Sequence, residues 1–407
     1  MVFPKLAIIG VALATGFNTV AEMYFSWLIL IVVSILFLTL CVRYFGWSVN
    51  TLILFVPIVW LLWNLRQWEN FLFGLQINYF LCVLGFVIAF VLLDRSHDLD
   101  LPFLGALGGA IITSFSLLNG LLIWPIGVIQ ILLQGKGKKM LLPWIVCAVS
   151  INFLYFLDWK RSEKLPSMSF FTDDPATAIR YFLAFLGSPL SPGAWGDIII
   201  HYSLLVGILV LVSAIAGIAL TVKYHLIKEN SPWIILLLFS IGTALITTIG
   251  RSGFGIVQAL SSRYVTFTIP GIIGLYFIYV TLYRHRGSLI PSTGWMVKGI
   301  TCFILFGVFL GMLDGMAMGM KTASDRDKLT CTLMNYRSVS DDDLSTLYPD
   351  PYLIRKNAVV LERRHLNVFS YSGVLQRNMS CTTPGAYPDL YNRLFGYKEK
   401  MNRLISG

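Results

Sequence analysis

Charged residues are scarce in this sequence, and their scarcity decides which class of protein it can encode. Only 13% of the 407 residues are Asp, Glu, Lys or Arg, against about 25% in a soluble globular domain. Hydrophobic residues make up 56% of the chain. A composition of this kind excludes a soluble fold and indicates an integral membrane protein.

The motifs of soluble enzymes are also missing. The sequence has no Walker phosphate loop, no dinucleotide fingerprint and no G-x-S-x-G nucleophile turn. Its five histidines are scattered, and no His/Cys group has metal-ligand spacing. We therefore predict neither a cofactor nor a bound metal.

What the sequence does have is long apolar runs separated by short polar breaks, the pattern of an all-α, polytopic transmembrane bundle. It predicts about ten spans, at Tyr24–Val42, Ser48–Trp63, Tyr79–Leu93, Leu101–Leu117, Leu118–Leu133, Leu141–Leu157, Ile198–Val222, Trp233–Ile249, Tyr264–Tyr283 and Gly299–Met320. The pair that flanks Asn119-Gly120 is short, so a re-entrant hairpin is an alternative to two full spans.

Basic residues predict the orientation of the bundle. Three short basic loops recur after pairs of spans, and the positive-inside rule places them in the cytoplasm: Lys136, Lys138 and Lys139; Lys223 and Lys228; Arg284, Arg286 and Lys298. Residues 1–23, 64–78, 158–197, 250–263 and everything after 320 then face outward. The net charge of +10 is explained by these loops and by contact with anionic lipid, not by nucleic acid.

The predicted domains are a membrane domain, residues 1–320, and an extracytoplasmic tail, residues 321–407. The membrane domain begins with an outer interfacial segment, residues 1–23. In the tail, Asp341–Asp343 predict a helix start and Tyr352–His365 an amphipathic helix, packed on the outer face of the bundle. Cys331 and Cys381 predict a disulfide if the tail is outside, with two free thiols as the alternative.

Polar residues on the outward segments are the candidate site. On one helix, Arg66, Glu69, Asn70 and Gln76 would share a face. They form either a surface ion pair or a polar pocket at the membrane surface.

In the segment "GRSGFGIVQALSSRYVTF", Arg251 and Arg263 lie close to Ser261, Ser262 and Tyr264. These arginines either bind phosphate or extend to lipid headgroups.

A third polar patch lies in the outer loop 158–197. Asp173, Asp174 and Pro175 open an amphipathic interfacial helix that carries Arg180, and "GSPLSPG" ends it. The two acids are either catalytic candidates or simple helix caps. Asp314, near the outer end of the last span, is expected to be an interfacial acid that reaches for water.

Several motifs together resemble a group of uncharacterised prokaryotic membrane proteins that are similar to GT-C-type glycosyltransferases. They are "FPKL" and "GFNTVAEMYFSWL" within Phe3–Leu28, "WENFLFGLQ" at Trp68–Gln76, "SLLNGLLIWPIG" at Ser116–Gly127, "SSRYVTF" at Ser261–Phe267 and "LYPDP" at Leu347–Pro351. The resemblance implies sugar transfer from a polyprenyl-phosphate donor on the outer face of the cell membrane. It also implies that the first span and first outer loop, which usually carry the catalytic acid, are absent here, so that the start is truncated or misassigned, catalysis is lost, or another acid serves.

The resemblance implies roles for the outward residues. Glu69 would be the catalytic base, with Asp173 or Asp174 as the next candidates, because a base must deprotonate the acceptor hydroxyl. Arg251 and Arg263 would bind phosphate and Arg66 would orient the site. Further substrate-binding candidates are Gln76, Arg180 and Tyr264. A polysaccharide polymerase, a transporter or flippase, and a non-catalytic scaffold are the alternatives.

Overall fold

The computed structural model describes residues 1–160, 166–193, 197–286 and 292–371. Every regular element within them is helical, which confirms the predicted all-α class. The α-helices are α1 (Phe3–Thr15), α2 (Thr19–Phe45), α3 (Val49–Leu62), α4 (Trp68–Leu72), α5 (Ile77–Arg95), α6 (Leu101–Ser114), α7 (Ile123–Leu133), α8 (Gly137–Phe156), α9 (Phe170–Asp173), α10 (Pro175–Gly187), α11 (Asp197–Lys223), α12 (Ile227–Arg251), α13 (Ser262–Arg286), α14 (Ser292–Met334), α15 (Asp341–Ser345) and α16 (Pro351–Arg363).

Eight helical stretches among the described residues are long and apolar enough to cross a membrane. They are Thr19–Phe45, Val49–Leu72, Gly74–Arg95, Gly137–Phe156, Ile198–Lys223, Ile227–Phe254, Ser262–His285 and Gly294–Met334. Each contains or overlaps one predicted span. The chain is therefore a multi-pass helical membrane protein.

The other two predicted spans, on either side of Asn119, are short helices. Helix α6 has 14 residues, and a 3-10 turn at Leu118–Leu122 leads into the 11-residue α7. At about 1.5 Å per residue, neither helix alone covers a hydrocarbon core of about 30 Å. The two are tied together at the turn, where Trp124 Nε1 donates to Ser114 Oγ at 2.9 Å.

Helix α13 is the centre of the bundle. Its most apolar 18-residue window is buried along its whole length, and it packs against α11, α12 and α14. Aromatic stacking consolidates this centre, with ring centroids 4.4 Å apart for Trp233 and Phe277 and 3.9 Å apart for Phe86 and Phe239. Buried aromatic pairs of this kind add about 0.5–1.5 kcal/mol beyond the area that they bury.

The predicted cytoplasmic loops meet at one end of the bundle, which we call the basic end. There the Arg43 Nε lies 3.3 Å from Asp94 Oδ2, and the Lys136 ammonium donates to the carbonyls of Asp94 and Ser96 at 2.9 and 2.7 Å. Arg284 Nη1 donates to the Phe45 carbonyl at 3.3 Å. The loops thus share one end as predicted, while the side of the membrane on which that end lies stays a prediction.

The last membrane helix does not stop where the sequence predicted a domain boundary. Helix α14 runs unbroken from Ser292 to Met334, so residue 320 falls inside it. At about 1.5 Å per residue it is about 64 Å long, roughly twice the hydrocarbon core. The tail beyond it forms its own small core around Tyr336, Leu344, Ala358 and Phe369.

The tail helices begin close to where the sequence predicted them. The Ser340 side chain caps α15 and the Asp350 side chain caps α16, each by accepting a backbone N–H. Tail and bundle touch where the Asn367 N–H donates to the Gly16 carbonyl at 3.3 Å. Cys331 is disulfide-bonded; Cys381 lies outside the described residues, so the pairing of the two stays a prediction.

Candidate functional site

The segment from Asn64 to Gln76 crosses the end of the bundle opposite the basic end. It is not the single helix expected from the sequence. It folds as a 3-10 turn at Leu65–Gln67, the short helix α4 and a second 3-10 turn at Gly74–Gln76. The expectation of one shared polar face was therefore wrong, because the breaks between the turns send neighbouring polar side chains in different directions.

Arg66 lies in the first 3-10 turn of this segment and is 1% exposed. Its Nε donates to the Ser191 carbonyl at 3.1 Å and its Nη2 to the Leu260 carbonyl. The same Nε lies 3.6 Å from Asp314 Oδ2, and both side chains are almost fully buried. The guanidinium therefore ties α14 to the ends of two other segments, and Asp314 is a buried ion-pair partner and not a water-seeking acid.

Gly315 allows this close approach of α14. A Cβ at Gly315 would overlap the Leu65 carbonyl, which belongs to the backbone and cannot rotate away. A small residue at this position therefore sets the spacing between α14 and the Arg66 turn.

Glu69 holds the start of the central helix. Its Oε2 accepts hydrogen bonds from Ser262 Oγ at 2.6 Å, from the Arg263 backbone N–H at 3.1 Å and from Ser261 Oγ at 3.2 Å. A carboxylate at a helix N-terminus is favoured by the orphan N–H groups and the helix dipole. The other oxygen, Oε1, makes no hydrogen bond within the described residues and is not buried, so it is available to a ligand.

A buried amide pair secures α4 beside Glu69. Asn70 Nδ2 donates to the Arg263 carbonyl at 3.0 Å and to Thr266 Oγ1 at 2.7 Å. Thr266 Oγ1 in turn donates to Gln67 Oε1 at 2.5 Å. The two outward segments that the sequence singled out separately are thus parts of one polar cluster.

Arg263 and Arg251 are the cations of this cluster. Arg263 Nε donates to Ser261 Oγ at 3.0 Å, and its guanidinium lies 5.7 Å from the Tyr264 ring centroid. The Tyr264 hydroxyl interacts with the Arg251 side chain. Both arginines are part-exposed, and within the described residues neither forms an ion pair with a carboxylate. Two cations without a carboxylate partner among the described residues have the chemistry to bind an anion.

Three tyrosines face these arginines. Tyr79, Tyr181 and Tyr264 all lie within electrostatic range of Arg251 and Arg263. Tyr181 donates to Gln258 Oε1 at 3.1 Å, and burial raises the pKa of Tyr181 far above its ordinary range. Its hydroxyl therefore stays a neutral donor at physiological pH.

Helix α10 forms as predicted and covers this cluster from the side. Asp174 Oδ1 accepts the Thr177 N–H at 3.0 Å and caps the helix; hydrogen bonding to Thr177 lowers the pKa of this carboxyl. The buried face of α10, with Tyr181 and Phe185, packs against Tyr264 and the neighbouring loop.

The remaining candidates lie away from the cluster. Asp173 and Arg180 are exposed on the outer surface of α9 and α10, and Gln76 is half-buried in the last turn of its segment. None of the three side chains makes a hydrogen bond or ion pair within the described residues. The structure thus brings together Glu69, Arg251, Arg263 and Tyr264 but leaves Asp173, Arg180 and Gln76 apart.

Sequence reasoning did not select Tyr79 and Tyr181. A tyrosine near a span end is ordinary in membrane proteins, so only its three-dimensional position marks it. A weak signal existed for Tyr181, because it directly follows Arg180 on a predicted amphipathic helix.

No group of three or more His, Cys, Asp or Glu side chains in the described ranges is arranged to hold a metal ion. The chemistry available at this site is that of two arginines, three tyrosine hydroxyls and one anchored carboxylate. In comparisons with known proteins, no family model, no curated protein and no solved structure matches this chain.

Proposed function

We propose that the protein is a membrane glycosyltransferase that uses a polyprenyl-phosphate sugar, binding its phosphate at Arg251 and Arg263. The proposal rests chiefly on one observation: at the end opposite the basic end, two arginines have no carboxylate counter-ion among the described residues. It is the leading expectation from the sequence, and the predicted topology would place the reaction on the outer face.

The arginine pair suits a phosphate that gains charge during the reaction. Arginine presents paired N–H donors that match two phosphate oxygens, and Tyr79 and Tyr264 would add O–H donors. When the bond between the sugar carbon and the phosphate oxygen breaks, the electron pair stays on that oxygen. Fixed donors stabilise this developing charge more than they stabilise the ground state.

Glu69 fits the role of general base because its two oxygens do different things. Oε2 is anchored by three donors at the start of α13, which fixes the carboxylate in place. Oε1 would then accept the proton of the acceptor hydroxyl as that oxygen bonds to the sugar carbon. Ser261 bonds both to Glu69 and to Arg263, so the base and the phosphate site keep a fixed separation.

In this proposal Arg66 is a positioning residue and does not bind substrate. Its Nε and Nη2 donate to two carbonyls, Nε also faces Asp314, and the side chain is buried, so it positions the segment that carries Glu69 without touching substrate. Asp174 is occupied as the cap of α10, which favours Glu69 over it as the base.

The test is sugar transfer by membranes that contain the wild-type protein, supplied with a panel of radiolabelled polyprenyl-phosphate sugars. Glu69→Gln retains an acceptor for the Arg263 N–H but cannot take a proton, so transfer should fall by about 10²–10⁴-fold. Arg263→Ala should also abolish transfer. Arg337→Ala, in the tail, is the matched control and should leave transfer unchanged.

Two results would overturn the proposal. Full activity of both Glu69→Gln and Arg263→Ala, at wild-type protein levels, would remove the site from the reaction. Uptake of a labelled lipid-linked sugar into proteoliposomes without any covalent product would assign the chain to transport.

A further inference from the structure

An apolar groove of about 280 Å³ lies beside the polar cluster, between α2, the Asn64–Gln76 segment and α14. Its walls are mostly aromatic and its floor is a stretch of α14. The lining residues are Trp27, Trp63, Leu65, Trp68, Phe71, Leu72, Gly315, Met316, Gly319 and Met320.

The aromatic walls form a continuous set of ring contacts. Trp27 meets Trp63 and Phe71 edge-on, with centroids 6.5 and 6.2 Å apart, and Trp63 stacks on Phe71 at 6.4 Å. Tryptophan is enriched where the hydrocarbon of a bilayer meets its headgroups. Three tryptophans around one groove indicate that it lies at that depth.

Helix α14, which forms the floor of the groove, also carries the cation Arg326. Arg326 follows Gly319 by about two helical turns and therefore lies on the same face of the helix. Its Nη2 donates to the carbonyl of Leu72, a groove residue, and its guanidinium lies 4.8 Å from the centroid of the Phe73 ring. Arg326 thus lies at the mouth of the groove.

Arg326 carries a charge that the described protein does not neutralise. It is half-buried, and none of the ion pairs within the described residues includes it. Its other polar contact is the weak one with Met23 Sδ at 3.7 Å. A half-buried guanidinium at the headgroup level, above an apolar groove, is complementary to an anionic headgroup above a hydrocarbon chain.

We infer that this groove binds one anionic phospholipid of the surrounding bilayer, with a hydrocarbon chain between the tryptophans and the phosphate on Arg326. The groove is too small for a helix of a partner or of a second copy, whose side-chain envelope is about 10–12 Å wide. This inference does not depend on the proposed glycosyl transfer.

The experiment is native mass spectrometry of the delipidated full chain in detergent, with phosphatidylglycerol or phosphatidylcholine of identical acyl chains. Wild-type protein should retain one phosphatidylglycerol under activation that strips phosphatidylcholine. Arg326→Gln should lower that retention roughly fivefold, the effect expected for one basic residue near anionic lipid. Lys328→Gln makes the same charge change on the same helix at an exposed position and should have no effect.

A second pair of variants tests the groove itself. Gly319→Leu places a side chain in the groove and should reduce retention of phosphatidylglycerol, whereas Gly299→Leu, where the side chain meets open space, should not. If Gly319→Leu is not monodisperse, Trp68→Leu replaces it with the same expectation.

Three outcomes would overturn the inference. Equal retention of phosphatidylglycerol by the Arg326→Gln and Lys328→Gln proteins would leave only non-selective annular lipid. Unchanged retention in the groove variants would place the lipid elsewhere. Displacement of phosphatidylglycerol by an equimolar polyprenyl phosphate would make the groove a site for the substrate chain and not for a bulk phospholipid.

Discussion

Replacing Arg66 with methionine is the most informative test of how the site is held together. Arg66→Met keeps a long side chain but removes the charge next to Asp314 and the donors to the Ser191 and Leu260 carbonyls. Because all of these groups are buried, water cannot take the place of the lost partner.

The structure gives the size of the effect. Two unit charges 3.6 Å apart attract by about 4–5 kcal/mol at an effective dielectric constant of about 20, and part of this is offset by the cost of burying both charges. Breaking such a pair from one side typically costs about 3–5 kcal/mol. Replacing both partners with apolar residues costs less, although each carbonyl left without a donor still costs about 1–3 kcal/mol.

A double-mutant cycle measures this coupling. The four proteins are wild type, Arg66→Met, Asp314→Leu and the double variant, and the measurement is the stability of each in the same detergent by thermal or chemical unfolding. The double variant should be more stable than the sum of the single losses predicts, by about 2–3 kcal/mol. Strictly additive losses would show that the two side chains are not coupled, and the assignment of Arg66 as a positioning residue would fall.

Three further perturbations have defined outcomes. Gly315→Ala should cost about 1–3 kcal/mol of stability, as overpacking does, because the new methyl group overlaps the Leu65 carbonyl; thermal unfolding measures it. Burial lowers the pKa of Lys136 to about 8. Between pH 8 and about 10.4 the unfolded state therefore binds more protons, and the stability contributed by this group rises with pH. The melting temperature of wild type relative to Lys136→Met, measured across that range, should rise with pH. Cysteines at Lys138 and Thr172 should react with an impermeant thiol reagent from opposite sides of the membrane.

Each of these tests has a control on the same chain. Gly299→Ala adds the same methyl group where nothing lies within 4 Å and should leave the melting temperature unchanged; an equal loss would refute the close-contact explanation. Lys138→Met removes a charge from an exposed position of the same basic loop, and an equal rise with pH for this variant would refute the explanation from burial of Lys136. Labelling of both engineered cysteines from one side would refute the predicted topology.

The fold class and the helix starts could be predicted because their causes are local. An apolar run of membrane length and a side-chain cap are both readable from consecutive residues. Asp174 followed by Pro175 predicted the start of α10, and the structure has a cap at that residue. The prediction of spans was uncertain around Asn119 for a local reason as well. The helices there have 14 and 11 residues, and length alone does not show whether such short helices are membrane spans.

The composition of the site was only partly predictable, because its contacts join residues far apart in the chain. Glu69 meets Ser262 at a separation of 193 residues and Arg66 meets Leu260 at 194, and no spacing rule reaches across such distances. The sequence marked both outward segments as unusual for their arginines. It gave no means of showing that Asp314 completes a buried pair, nor that Tyr79 and Tyr181 turn towards the same cations.

The unbroken length of α14 has a practical consequence for imaging this protein. A helix that continues from the membrane into the tail without a joint carries the tail along with any rotation of the span. The small core around Tyr336 and Phe369 packs the tail helices into a folded unit at the end of that extension. An antibody fragment raised against α16 would therefore keep a constant angle to the bundle, and would supply the asymmetric landmark that particle alignment in electron cryomicroscopy requires.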